Sequence, residues 1–306
     1  MSSPVACFGK LPFHREFLRL GVDSPGAAWV VRWIEQAHVA WTRQGDAPAT
    51  SPVVRFAVPV ERSLLVGVVR QSSDGLRRHP VTLFAEVGDA GTRRPELVPA
   101  ACEPTWSALA TLLDADTASQ AALTAALARG VPPPDFAGAE ARHGDAQRQA
   151  SHGGAWGALA GGAPADEARH LALNFVAAAE AQRGAASVLD GVAFAVPIVA
   201  DHGRGASQAG LWLELFAAAV GGAVRPAILL RAEPAMLVCL HRPPEGRDLA
   251  AALSDLALAP IDDLREPWQA WPPADARLAA GVEKLVAGTP ATAAELVDTM
   301  RALGRA

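Results

Sequence analysis

Tyrosine is missing altogether from the 306 residues, and lysine occurs only twice, as Lys10 and Lys284. Positive charge therefore rests almost wholly on arginine, and 32 acidic against 27 basic residues leave a formal net charge of -5. No global basic field exists to draw the chain to nucleic acid or anionic lipid. The arginine bias, with abundant Ala and Gly, reads as the mark of a GC-rich genome. Cysteine is scarce too: Cys7, Cys102 and Cys239 are odd in number, far apart and in no CxxC pattern. That argues against a disulfide framework or a cysteine zinc site and for a reducing compartment. No uninterrupted apolar run approaches the ~18 residues of a membrane span. The N-terminus shows neither the basic stretch nor the apolar block of a signal peptide. The expectation is a cytoplasmic protein without membrane insertion.

What is present is ordinary globular material: half the residues are hydrophobic and 19% are charged, enough for one large α/β domain or two small ones. Residues 5–8 read as a strand stopped by Gly9 and Pro12. Asp23-Ser24-Pro25 is a helix start, a capping residue followed by proline at the first helical position. The segment after it, 27–43, puts Trp29, Trp33, Ala37, Ala40 and Trp41 near one face at helical spacing. Three apolar segments, 53–60, 64–70 and 80–87, follow with short polar links, Glu61-Arg62-Ser63 and Ser72-Ser73-Asp74-Gly75, the pattern of antiparallel neighbours. Helices are expected over 103–113, 119–128, 166–184, 208–220, 248–256, 274–287 and 292–303. Further strands are expected over 192–199, 227–230 and 236–241. Residues 130–165 read as a loop-rich insertion. The fold class expected is α/β: a three-layer α/β/α sandwich with a mixed, partly antiparallel sheet. One α/β domain would cover 1–256 and a helical extension 257–306.

Candidate chemistry is thin. A phosphate loop needs GxxxxGK followed by Ser or Thr, but Gly9-Lys10 is followed by Leu11 and preceded at the required position by Pro4. The stretch 203–210 carries glycines where a dinucleotide loop would sit, with the third glycine misplaced and no acid at the expected distance. Gly205-Ala206-Ser207-Gln208-Ala209 resembles a nucleophile elbow, with alanine where the turn needs its last glycine. Ser207, Glu233 and His241 would then be the triad of a serine hydrolase, against the alternative of a helix N-cap serine. The eight histidines form no HxH or HExxH pair, so no metal and no cofactor is expected. Trp268 and Trp271 lie between prolines and suit packing of the tail onto the body, the favoured reading, or onto a partner.

The opening stretch is more specific. Phe8-Gly9-Lys10-Leu11-Pro12, then Phe17, resembles the N-terminal F-G-K-L-P-S-x-G-D-F motif of the TagF/ImpM family, proteins associated with bacterial type VI secretion. Phe13, Arg15 and Glu16 replace the usual Ser, Gly and Asp. Val53-Val54-Arg55-Phe56-Ala57 resembles the family's V-W-R-F-A strand. The segment 72–83 resembles its S-x-D-x-x-G-R-x-F-P-L-T block, with Arg77, Pro80, Thr82 and Leu83 matching, Leu76 in place of Gly and His79 in place of Phe. A weaker block runs from Leu211-Trp212 to Pro226 and the strand after it.

The resemblance implies a compact α/β sandwich and a non-enzymatic regulator that represses type VI secretion after translation. It implies partners among the secretion components, with the forkhead-associated protein Fha a candidate. The expected partner-binding surface joins the loop after the first strand to the 71–79 loop, presenting Gly9, Lys10, Pro12, His14, Arg15, Glu16, Arg77, Arg78 and His79 as a cationic patch toward an acidic or phosphorylated partner. The other reading is that Gly9 to Pro12 only shape a turn. A structural scaffold using the C-terminal helices is a further alternative, and the oligomeric state is open.

Overall fold

The structure of the chain is a computed structural model. It describes residues 2–11, 17–43, 51–73, 78–88, 94–114, 120–150, 159–160, 165–221, 225–254, 261–264 and 293–304.

Nine strands form one sheet. In chain order they are β1 Ala6–Gly9, β2 Leu18–Leu20, β3 Val54–Val60, β4 Ser63–Ser73, β5 Arg78–Gly88, β6 Ala193–Pro197, β7 Ala227–Ala232, β8 Ala235–Leu240 and β9 Asp262–Asp263. Their spatial order is β2-β1-β5-β4-β3-β7-β8-β6-β9. Every pairing is antiparallel except β6 with β9. The β3–β4–β5 meander is the run of short-linked strands that the alternating pattern predicts. β7 and β8 form the expected hairpin and join the meander through β3, with Phe56 opposite Leu229.

Side chains alternate along each strand, so the sheet has two apolar faces. Leu64, Val66 and Val68 of β4 enter one core, and Leu65 and Val69 enter the other. The second core is closed by helix α1 Pro25–Thr42 through Val30, Trp33, Ile34, Ala37 and Trp41, and by helix α7 Gly246–Leu253. The first is closed by α2 Val98–Asp114, α5 Ala165–Gly184, α6 His202–Val220 and α8 Ala293–Gly304. Helices α3 Gln120–Arg129 and α4 Phe136–Ala150 complete the described set. The fold is α/β with a mixed sheet, as expected. Each fully buried large apolar side chain contributes about 1.5–3 kcal/mol. Where such a side chain carries a polar atom, that atom is paired: Trp106 Nε1 of α2 donates to the Phe56 carbonyl at 2.9 Å.

Local chemistry explains the element ends. Ser24 caps α1, its Oγ accepting from the Ala27 amide at 3.0 Å, with Pro25 at the first helical position as the sequence predicts. The Glu86 carboxylate of β5 receives the hydroxyls of Ser24 and Ser63 and stands beside the start of that helix, the favourable end for negative charge. α1 therefore runs back along β5, and its last turn arrives where β5 begins.

Three expectations are corrected. Much of 130–165, expected as a loop-rich insertion, is helix α4. Asp135 Oδ1 caps it by accepting from the Gly138 amide at 2.8 Å, and its buried Ala139 and His143 lie one helical turn apart. The polar, glycine-bearing remainder of that helix hides the short apolar stripe from a periodicity search. α6 begins at His202, capped by Asp201, and not at 208. The strand from 192 is shorter than expected, and β9 and α8 are built into the sheet and the first core. The expected helix 274–287, Trp268 and Trp271 lie outside the described residues.

Candidate functional site

The site begins at a glycine. Gly9 ends β1 at φ 125°, a conformation that L side chains avoid. A Cβ there would lie 2.2 Å from the Pro80 carbonyl oxygen. Its partner across the ladder is Val81 of β5. Since β4 and β5 pair as far as Ser73 opposite Arg78, Gly9 at the end of β1, the end of β4 and the start of β5 share one end of the sheet. The last turns of α1 reach the same end.

An aromatic cluster occupies it. The Phe17 ring stands edge-on to the buried Phe8 at 4.7 Å between centroids and to His79 at 4.5 Å. His79 in turn lies 4.4 Å from His38 of α1. The Arg19 guanidinium sits over the Phe8 ring at 5.6 Å, a cation–π distance. Phe17 keeps 38% of its surface exposed, and Val39, next to His38, keeps 47%.

The two imidazoles are held neutral. Burial pushes the His79 pKa down to about 4; the hydrogen bond to the Pro80 carbonyl opposes this, and the nearby His38 and Lys10 charges add to it. His38 is lowered by burial. His79 Nδ1 lies 2.7 Å from the Pro80 oxygen. A carbonyl only accepts, so Nδ1 carries the proton and Nε2 keeps its lone pair. Behind the cluster, Gln71 and Ser72 pair across the ladder with Pro80 and His79. Their Gln71 Oε1 and Ser72 Oγ atoms are buried and have no hydrogen-bond partner among the described residues.

Of the residues expected at the partner surface, Gly9, Lys10 and His79 do come together. His79 is a correction: it was expected as an exposed cationic group, but it is 8% exposed and neutral, because packing against Phe8, Phe17 and His38 strips its water. Arg78 pairs with Ser73 through the backbone; its side chain lies outside the described residues, as do Pro12, His14, Arg15, Glu16 and Arg77. Phe17, Arg19, His38 and Val39, which also lie at this end of the sheet, were not among the expected residues. Phe17 was legible from its place in the opening motif. His38 carried no local signal, because its partner His79 is distant in sequence.

The nucleophile elbow dissolves. Ser207 lies within α6, one turn from its start, and its Oγ donates to the Gly203 carbonyl at 3.1 Å. A nucleophile elbow needs a sharp strand-to-helix turn. His241 is buried against Phe194 and Phe216. The stretch 203–210 is likewise helix and not a phosphate-binding turn. Among the described residues, no three or more His, Cys, Asp or Glu side chains gather as metal ligands would, and no helix is long and apolar enough to cross a membrane. All three cysteines are buried thiols, and burial lifts the Cys7 pKa to about 12.

With this geometry in hand, the comparisons with known proteins place the N-terminal part of the chain. Residues 6–129 match the model of the TagF N-terminal domain, described as Type VI secretion system-associated. That segment spans β1 to α3 and includes every described residue of the aromatic cluster. Over that segment, and not over the rest of the chain, the protein is similar to this type VI secretion-associated domain. No curated protein matches the chain. Among solved structures, that of PA0076 from Pseudomonas aeruginosa PAO1 is similar at 22% identity and a TM-score of 0.37, over 42% of this chain and 64% of that one.

Proposed function

We propose that this protein is a non-enzymatic accessory factor that represses type VI secretion after translation. It acts on the cytoplasmic side by binding a component of the apparatus, with the forkhead-associated protein Fha a candidate. The observation that carries this reading is the TagF match over residues 6–129. Two features support protein binding over catalysis. Ser207, the one nucleophile singled out in the sequence, is engaged within a helix. The aromatic end of the sheet combines a rigidly held ring with exposed apolar surface, the composition of a protein-binding hot spot.

The scaffold alternative gains nothing from α8. Its Ala293, Leu296, Val297 and Met300 are buried in the first core and not offered outward.

The test is genetic and biochemical together. Deleting the gene in its native host should raise the amount of type VI substrate in the culture supernatant, and re-expression should lower it again. Purified protein should retain a type VI component, identified by mass spectrometry. Unchanged secretion on deletion and on overexpression would overturn the repressor reading. Turnover of ester or phosphate substrates by the pure protein, abolished in Ser207→Ala, would overturn the non-enzymatic one.

A further inference from the structure

Exposed large hydrophobic side chains are few among the described residues: Phe17, Val39 and Leu189. The contact chain Phe17–His79–His38 brings the first two to the same end of the sheet. Phe17 is braced on two sides, by Phe8 and by His79. A ring already fixed in place loses little freedom when a partner covers it, so its buried area goes into affinity.

Charge surrounds this apolar centre. Arg19 is exposed on the edge strand β2, and Arg43 is exposed at the end of α1, one turn beyond Val39. Glu35, one turn before Val39, is the opposing charge on that side of the helix. The centre itself carries no charge at neutral pH, because both histidines are neutral there. An uncharged, aromatic core with a basic rim, on a chain of net charge -5, complements carboxylates that flank an apolar residue. It repels a second copy of itself presenting the same rim.

We propose that the surface formed by Phe17, His79, His38 and Val39, rimmed by Arg19 and Arg43, docks an acidic segment of a partner protein that lays an apolar side chain against Phe17. The proposal rests on the regulatory reading only for the existence of a protein partner; the chemistry comes from the surface.

The probe is a fluorescent 14-residue peptide with a central Leu-Phe pair flanked by Asp and Glu, followed by anisotropy against the full chain. Comparison arms carry Lys and Arg flanks, or acidic flanks around Ala-Ala, or a phosphothreonine with neutral flanks. Anionic vesicles and a sedimentation run on the protein alone complete the set. The acidic Leu-Phe peptide should bind at least about tenfold tighter than every other arm, and Phe17→Ala and Arg19→Glu should each weaken it about tenfold. Leu189→Ala, at a distant exposed residue, should change nothing. If Phe17→Ala alters the circular dichroism spectrum, Arg19→Glu and Val39→Glu carry the test. Equal binding of all peptides, preference for the phosphopeptide, vesicle binding or self-association that needs Phe17 would each overturn the proposal. Loss of peptide discrimination with the secretion phenotype intact overturns the docking chemistry alone. Intact discrimination with no secretion phenotype overturns the regulatory reading alone.

Discussion

The two halves of the sheet use their side chains differently. In the half built from β7, β8, β6 and β9, most polar groups are consumed inside the fold, the buried His241 Nε2 being an exception. Arg242 grips Asp248 with both guanidinium nitrogens, at 2.8 and 2.6 Å. Arg231 ties the β7–β8 hairpin to the end of α7 through the Glu233 and Ser254 carbonyls. Gln208 bridges the Val199 amide and the Leu159 carbonyl, and Asn174 donates to the Leu264 carbonyl. In the half built from β2, β1, β5, β4 and β3, polar groups are also paired, Arg55 with Glu103 at 2.6 Å among them, but an aromatic cluster with the exposed Phe17 and Val39 gathers at one end. The first half serves as a braced support, and the second is the half that also carries exposed apolar side chains at its end. A partner surface must leave some of its interactions unmade, and rigid neighbours hold it in shape meanwhile.

The contrast can be broken in order of expected effect. Asp248 is fully buried and also accepts from the Glu245 amide at 2.8 Å. Asp248→Ala would strand the Arg242 guanidinium and should cost about 4 kcal/mol in urea unfolding. A loss below about 1 kcal/mol would show that the support half is not braced by this pair. Gly9→Ala should come next, at about 3 kcal/mol, since the new Cβ meets the Pro80 carbonyl and the backbone is in a disfavoured region. Wild-type stability in that variant would mean that the end of β1 can reshape, and the site with it.

Acid should weaken both halves through their buried histidines. His79 is lowered to about 4 and His241 to about 3, each chiefly by burial, against about 6.5 in an unfolded chain. As pH falls below 6.5, the unfolded state takes up protons that the folded state refuses, so stability declines. The decline ends near pH 4 for His79 and near pH 3 for His241. His79→Gln should lessen the slope of the stability profile between pH 6.5 and 4, leaving there the part that His241 contributes, and should leave the slope below 4 unchanged. An unchanged profile above pH 4 would mean that His79 is not held neutral. The smallest stability effect belongs to Phe17→Ala. With 38% of its surface already exposed but its ring contacts to Phe8 and His79 lost, its loss should cost about 1–2 kcal/mol while removing the docking preference. A large loss of stability instead would make Phe17 a core residue and not a surface one.

Much of the frame was legible along the chain. The β3–β4–β5 meander followed from alternation and short polar links, and α1 from Ser24, Pro25 and its tryptophans. α4 escaped because only a few small or polar residues, Ala139 and His143 among them, face the core. The start of α6 escaped because Gly203, Gly205 and Ser207 imitate loop chemistry in an isolated reading. At the site, the glycine turn at Gly9 and the place of Phe17 in the opening motif were visible, whereas the pairing of His38 with His79 was not.

Local rules alone determined where strands alternate, where Ser24 can cap a helix, and that the chain would bury a two-faced sheet. These depend on neighbours a few residues apart, which the sequence displays. Only the tertiary structure decided that β3 would pair with β7, that His79 would lose its water and its charge, and that Phe17 would remain in view. Burial and desolvation are set by residues far apart in the chain, and they act only once the sheet has brought those residues together.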